Sequence, residues 1–539
     1  VTMGGEPGRV AVVGNGPVGQ TTALLLARWG VPVLVLEAAP HRDPVGSKAI
    51  CQQRDVLDVW ETIGVGARLA AEGVTWTTAR TFFRDAELFS YTIADPGRAF
   101  FPPFVNISQA RTEELLDERI AAEPRIEVRW GHRVTALEQD AGGVRLVCAT
   151  DRGEAEFAAR YAVLCAGARA ESLRARLGVT FDGQSFDDRF LICDIRADLP
   201  GWASERRFYF DPVWNPGRQV LIHPCPDSRF RIDWQVPADY DLAAEEESGA
   251  LDRRIRDIIG DSAYEIIWKS VYRFQSRVAS RLRVGRVLLA GDAAHLMSPF
   301  GARGLNSGVA DAENAAWKLA FACHGWAGED LLESYHHERH AAARENLEIT
   351  TATMDFLVPQ DERQWERRRS VLERAVTDPS ARGEVDSGRL AEPFWYVDSP
   401  LTTPDPGRPF AGRPPRGAAP AAGPGVLVPD VPFATGRFRE LARDGLLLLA
   451  TPGTDPAAAR DALAGFAGPA RLLELGADGE LCTALGARDG ELWIIRPDAH
   501  VAAVLTRPAR DQVAAALARV LAIPTPKEET RDHTVGRAG

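Results

Sequence analysis

Residues 9–14 read RVAVVG, a short β-branched apolar run ending in glycine, the pattern of a buried strand. Gly14, Gly16 and Gly19 follow at G-x-G-x-x-G spacing, with Pro17 and Val18 completing the loop. The apolar helical run TTALLLARWG closes at Gly30, and a second apolar run, PVLVLE, ends at Glu37. Strand, glycines, helix, strand and acid fall in order within the roughly 30 residues of one β-α-β unit. Gly14 permits a tight turn, Gly16 lets a pyrophosphate approach the backbone, and Gly19 lets the helix pack against the strand. The helix N-terminus offers N–H groups and positive dipole to phosphates. Glu37 suits ribose hydroxyls and would repel a 2′-phosphate, so the spacing predicts FAD or NAD in this site.

A second unit lies at 284–320. VLLA at 287–290 predicts a strand, Asp292 stands at its end, and a helix begins near Gly304 and runs through Asp311 and Lys318. Asp292 is placed to bind a polyol chain. The helix start at Gly304, Leu305 and Asn306 would stabilise negative charge on a cofactor ring. Between the two units, FLICDIRA, RFYFDP, QVLIHPCP and RFRIDWQV alternate apolar and polar positions, which predicts antiparallel strands over 181–275. Phe208, Phe210, Trp214, Phe230 and Trp234 crowd this region, and only half of each strand can face one side. His223, Trp234 and Tyr272 are the expected pocket residues. His223 and Tyr272 are the candidates for a general base.

The Pro-, Gly- and Ala-rich stretch 399–435 predicts a linker or a draped extended segment. Beyond it come GLLLLAT, a helix near 456–466, RLLELG, ELWIIRPDAHVAAVL and a last helix near 508–522. Residues 524–539 are polar and expected to be disordered.

Composition narrows the classes. The 539 residues are 45% apolar and 26% charged, average for a globular protein. The net charge of −12 disfavours nucleic acid as a partner. Seven scattered cysteines with no CxxC pair exclude a zinc-site spacing and predict a reducing, cytoplasmic setting. No apolar run reaches the 18 or so residues of a membrane span. His336, His337 and His340 read as a solvated helix end with no metal, and His295 as a residue ordering its loop.

GDAAH…P…G…G…N, taken with the first glycine motif, resembles the class A flavoprotein monooxygenases, the FAD-dependent aromatic hydroxylases. Residues 46–64, 106–120 and 299–320 resemble the branch containing the 3-(3-hydroxyphenyl)propionate and phenol hydroxylases. The resemblance covers roughly residues 8–345 and continues more weakly to about 523. It implies an α/β, p-hydroxybenzoate-hydroxylase-like fold. A Rossmann-type FAD domain (1–180 and 276–398) is interrupted by a mostly antiparallel substrate sheet (181–275). A linker (399–435) and a thioredoxin-like C-terminal domain (436–523) follow. That last domain has only Cys482, so thiol exchange is excluded and a structural role, in a homodimer, is expected.

By the same resemblance, Gly14, Gly16, Pro17, Val18 and Gly19 hold the pyrophosphate of non-covalent FAD, and Glu37 its ribose. Lys48 stands where the branch has Arg, facing the flavin edge. Gln109, Val134 and Gly167 contact the cofactor, Asp292 the ribityl chain, and Pro299, Gly304, Leu305 and Asn306 the ring. Pro299 and Phe300 also border the substrate. The chain departs from the family at its middle motif, where Asp-Gly is replaced by Ala166-Gly167. The lost carboxylate leaves Arg169 and Arg174 without an expected partner. The implied reaction uses NADPH or NADH as a transient co-substrate and O2. A flavin C4a-hydroperoxide then hydroxylates an electron-rich, phenol-type aromatic. Alternatives are Baeyer–Villiger insertion or epoxidation on a polycyclic or quinone-like substrate, a flavin dehydrogenase or oxidase, and a non-catalytic protein binding flavin and an aromatic.

Overall fold

A computed structural model of the chain describes residues 8–43, 49–92, 99–415, 418–433, 436–476 and 479–523. Lys48 and the tail 524–539 lie outside the described residues. The first strand, Val10–Val13, is wholly buried and pairs in parallel with Val33–Leu36 on one side and Tyr161–Leu164 on the other. Ile126–Arg129 and Val287–Leu289 extend this sheet in parallel, and the short Arg283–Val284 closes it antiparallel. Parallel strands need cover on both faces. The helices Pro17–Arg28 and Arg303–His324, packed on each other, cover one face, and their small residues allow close packing. A three-stranded antiparallel sheet, 133–139, 144–150 and 153–159, flanks this unit.

The second large sheet has eight strands and exceeds the expected 181–275. Its order is His295–Leu296, Tyr264–Ala279, Phe181–Ala197, Arg229–Val236, Gln219–Cys225, Glu205–Phe210, Thr78–Phe83 and Ala86–Thr92. The hairpin at 78–92 therefore belongs to it, joined through the single parallel pairing between Thr78–Phe83 and Glu205–Phe210. Two long strands, of 17 and 16 residues, tie the sheet to the first domain. At Gly183 they approach so closely that a Cβ would meet the Ser276 oxygen at 2.0 Å. One face of the sheet is covered by Ala250–Ile259, whose Leu251, Ile255 and Ile259 repeat every four residues and pack with Leu191, Ile232 and Trp234. The other face looks toward the first domain.

The described residues 399–415 and 418–433 are draped over the C-terminal unit. Thr403, Gly425 and Val428 donate backbone N–H groups to Ala502, Val501 and Ala499, and Leu401, Val426 and Val428 are buried. The C-terminal sheet has the order Ala470–Glu474, Leu446–Ala450, Glu491–Ile495, Val501–Thr506. The first two are parallel, linked through the helix Pro456–Leu463, and the others antiparallel. Arg510–Val520 packs beneath with Trp317 and Phe321 of the long first-domain helix. His336, His337 and His340 sit in the early turns of the 27-residue helix Leu331–Leu357, His337 exposed and the other two half-buried. There His336 accepts the Leu282 N–H at 3.2 Å.

Candidate active site

A cavity of about 560 Å3 runs from the first glycine loop to the inner face of the eight-stranded sheet. At its nucleotide end, Gly16, Pro17 and Val18 line the wall. Gly14 has φ +105°, and a Cβ there would lie 2.4 Å from the Cys165 oxygen. A Cβ on Gly19 would lie 2.0 Å from the Gly14 oxygen, whereas one on Gly16 would meet nothing within 4 Å. Two glycines thus shape the turn, and the third leaves an open cradle for a pyrophosphate. Proline at the first helical position removes one orphan N–H while the others face the cradle. Glu37 accepts the N–H groups of Asn15 (2.7 Å) and Ala39 (2.8 Å), which fixes its carboxylate at the strand end. Val134 is only 8% exposed and its side chain packs in the core beneath the flanking sheet.

In the middle of the cavity, Gln109 opens the helix Gln109–Ala121, which Ser108 caps. Gln109 accepts the Ala49 N–H at 3.2 Å and donates to Glu113 at 2.8 Å. Burial raises the Glu113 carboxyl above its ordinary range. Gly167 lines the opposite wall with φ +69° and open space where a Cβ would be. Arg174 is not left without partners by Ala166. It donates to the Ala293 oxygen (3.1 Å) and the Ala168 oxygen (3.4 Å), and its guanidinium lies 4.0 Å from the Phe181 ring centre. Backbone carbonyls and an aromatic face take the place of the family's carboxylate.

Asp292 sits in the single turn Gly291–Ala293 and lines the cavity. The turn is held by Asp311, a residue without an assigned role in the sequence pattern. One Asp311 oxygen accepts the Gly291 N–H at 3.0 Å and pairs with His295 Nε2 at 2.7 Å, and the other accepts Arg339 Nε at 2.7 Å. The interactions with His295 and Arg339 outweigh burial and hold Asp311 down at about 2. His295 orders its loop through this pairing.

Pro299, Phe300, Gly304 and Leu305 line the ring end of the cavity. Asn306 does not. Its amide accepts the Gln53 N–H and donates to the Cys51 oxygen, both at 2.9 Å, so it pins the strand Cys51–Gln53 to the helix start. The segment 388–391 straps over this loop. Ala391 donates its N–H to Gly301, buried Arg303 donates to the oxygens of Arg389 and Leu390, and Gly388 and Leu390 line the cavity.

The far end is built by the sheet. Phe190, Phe274 and Phe300 cluster, with Phe190 and Phe274 stacked at 4.4 Å. Tyr272, paired with Phe190 in the register, also lines the cavity. Below them stand His223, Arg206, Arg231 and Asp233. Arg231 forks onto Asp194 at 2.7 and 2.9 Å. Burial and the cations Arg206 and Arg231 drive His223 well below its ordinary value, so it is neutral. Burial pushes Asp233 up to about 7 against the pull of Arg231. Trp234, expected in the pocket, is fully buried on the opposite face with Leu251 and Ile255. Successive residues of a strand point to opposite faces, and Asp233 and Trp234 are neighbours. The charged floor has a sequence signal in hindsight: RFRIDWQV alternates, and its polar members Arg231 and Asp233 form the inward row.

The donor set fits FAD: an open glycine cradle, a fixed ribose acid, and a loop of small residues at a long helix's N-terminus. Comparisons with known proteins agree. Residues 8–350 match the family model described as FAD binding domain. The 3-(3-hydroxy-phenyl)propionate/3-hydroxycinnamic acid hydroxylase of Mycobacterium sp. (strain KMS) is 29% identical over 70% of this chain, which spans 64% of that protein's length. The rifampicin monooxygenase of Streptomyces venezuelae is 34% identical over 67% of this chain and 74% of its own. The crystal structure of the flavin-dependent monooxygenase PieE with FAD and substrate superposes with a TM-score of 0.81. It shares 25% identity, over 96% of this chain and 99% of that one. The chain therefore belongs to the FAD-binding-domain family, among relatives named as hydroxylases and monooxygenases.

Proposed function

We propose that the protein is a single-component FAD-dependent monooxygenase that uses NADPH or NADH and O2 to hydroxylate an electron-rich, phenol-type aromatic. One observation carries the reading. The same cavity that begins at the glycine cradle ends in an aromatic slot with a polar floor, so cofactor ring and substrate ring would share one enclosed space. FAD, when bound, supplies the electron transfer and the activation of O2. The chain supplies the rest. The cradle at Gly16 and the carboxylates Glu37 and Asp292 anchor the cofactor. The N–H groups at Gly304 and Leu305 stabilise negative charge on its ring. Phe190, Phe274 and Phe300 align the substrate ring and exclude water. His223, held neutral, and the Tyr272 side chain border the substrate and can share hydrogen bonds with it.

The C-terminal unit follows a β-α-β-α-β-β-α path, which supports reading it as a thioredoxin-like scaffold. Cys482 there has no cysteine partner, and all seven cysteines are free, in keeping with a reducing compartment. The test is single-turnover kinetics. Purified protein should carry FAD, be reduced by NADPH or NADH faster when a phenol is bound, and yield a product one oxygen heavier on admission of O2. Reduction without an oxygenated product would favour a dehydrogenase. A product with an inserted ring oxygen would favour the Baeyer–Villiger reading.

A further inference from the structure

The cavity floor carries a carboxylate outside the expected site residues. Asp233 stands opposite Leu221 on one flanking strand and Ile192 on the other, in the row of side chains that faces the cavity. Its Oδ1 is buried and has no hydrogen-bond partner among the described residues. Arg231, two positions along the same row, is forked onto Asp194. A buried carboxylate oxygen without a donor costs free energy. The carboxylate lines the cavity, so a ligand that brings an O–H to it supplies a donor that the sheet itself does not.

We propose that Asp233 is the proton acceptor for the hydroxyl of a phenolic substrate. The inference rests on the phenol-hydroxylase reading above and names its missing base. In the step, the phenolic O–H bond breaks, its electron pair stays on the ring oxygen, and the proton bonds to the Asp233 carboxylate. No oxidant or reductant is consumed. The site's net charge is unchanged: one negative charge moves from the carboxylate to the ring oxygen and stays in the field of Arg206 and Arg231, the cations acting on Asp233. Burial, by raising Asp233 to about 7, narrows the gap to an ordinary phenol at about 10. The charged and titratable groups around it are Arg231 on its own strand, Asp194, Cys193, His223 and Cys225 on the neighbouring ones, and Arg206 one strand further. His223 is held neutral and Cys225 is pushed up to about 12, so neither titrates in the same window.

The experiment uses the FAD-loaded full chain and 4-nitrophenol, with binding read from the flavin spectrum and neither NAD(P)H nor O2 present. Above about pH 8 free nitrophenol and free Asp233 are both ionised, and two carboxylate-like charges in one site must share a proton. The wild-type Kd should therefore rise about tenfold per pH unit there, because binding takes up one proton. Asp233→Asn should show a flat Kd over the same range. With a weakly acidic phenol as substrate, Asp233→Asn should also lose roughly a hundredfold in kcat/KM, a loss that shrinks as pH approaches the phenol's own ionisation. A flat wild-type Kd, an unchanged slope in Asp233→Asn, or no nitrophenol binding at all overturns the assignment. Should Asp233→Asn fail to retain FAD, Asp233→Glu replaces it; a displaced carboxylate must shift the onset of the slope, and an unshifted onset overturns the proposal. Because binding needs no turnover, a protein that makes no oxygenated product but shows the slope would sink the monooxygenase reading and leave the Asp233 assignment standing.

Discussion

Gly16 and Gly19 lie in one loop and answer to different forces. A methyl on Gly19 would press into the Gly14 backbone oxygen, which no rotamer change relieves, while a methyl on Gly16 would enter the open cradle. Gly19→Ala is expected to destabilise the protein with or without FAD. Gly16→Ala is expected to leave apoprotein melting unchanged and to weaken FAD binding by about tenfold or more, since the pyrophosphate needs that space. Thermal melts of apo and FAD-loaded forms separate the two. Asp311 gives a prediction with a sign. It is held at about 2 in the fold against an ordinary 3.8. Its stabilisation is therefore present above about pH 4 and is lost as pH falls toward 2, an amount of about 2 kcal/mol. Asp311→Asn should flatten that acid limb in denaturant titrations, and an unchanged limb would show that other carboxylates dominate it.

At the scale of elements, the strand Arg229–Val236 shows how alternation separates chemistry from packing. Arg231 and Asp233 face the cavity, while Ile232 and Trp234 face the helix Ala250–Ile259. Trp234→Ala should cost about 3–5 kcal/mol of stability through the cavity it leaves, with little change in FAD affinity. A denaturant melt and an FAD titration check both parts. The pattern of RFRIDWQV was legible as a strand. Which of its two faces looked inward was not, because a period of two is symmetric until a neighbour is placed on one side. The same limit explains Asn306 and Val134: the residue types were right for a cofactor loop and its surroundings. Only packing showed that Asn306 braces a strand and Val134 fills a core.

On the scale of the molecule, a buried charge network joins the C-terminal unit to the helices behind the cavity. Arg496 forks onto Glu338 at 2.6 and 2.9 Å and onto Asp498, and Lys318 reaches Glu338 at 2.6 Å. Asp498 also accepts from Trp317, and Arg339 bonds the Tyr396 hydroxyl as well as Asp311. These cations outweigh burial and hold Glu338 and Asp498 well below the usual carboxylate range. Removing one partner of such a pair leaves a buried charge uncompensated, at a cost of about 3–5 kcal/mol. Arg496→Met should therefore lower the melting temperature of the whole protein and hasten FAD loss. If the C-terminal unit instead melted alone, with FAD retained, the network would be local to it.

The chain's own order of residues was enough to locate the β-α-β unit, its glycines and Glu37, the second strand–loop–helix with Asp292, and the strands of the sheet. Those features depend on contacts within about 30 residues, where local geometry and hydrophobic period leave few choices. The tertiary structure decided which partners each side chain and segment takes. It recruited residues 78–92 into the sheet, set backbone carbonyls and Phe181 against Arg174, placed Asp311 behind the Gly291 turn, and turned Asp233 rather than Trp234 into the cavity. Each of these is a choice among partners that the chain could bring together in more than one way, and only close packing of both domains selects one.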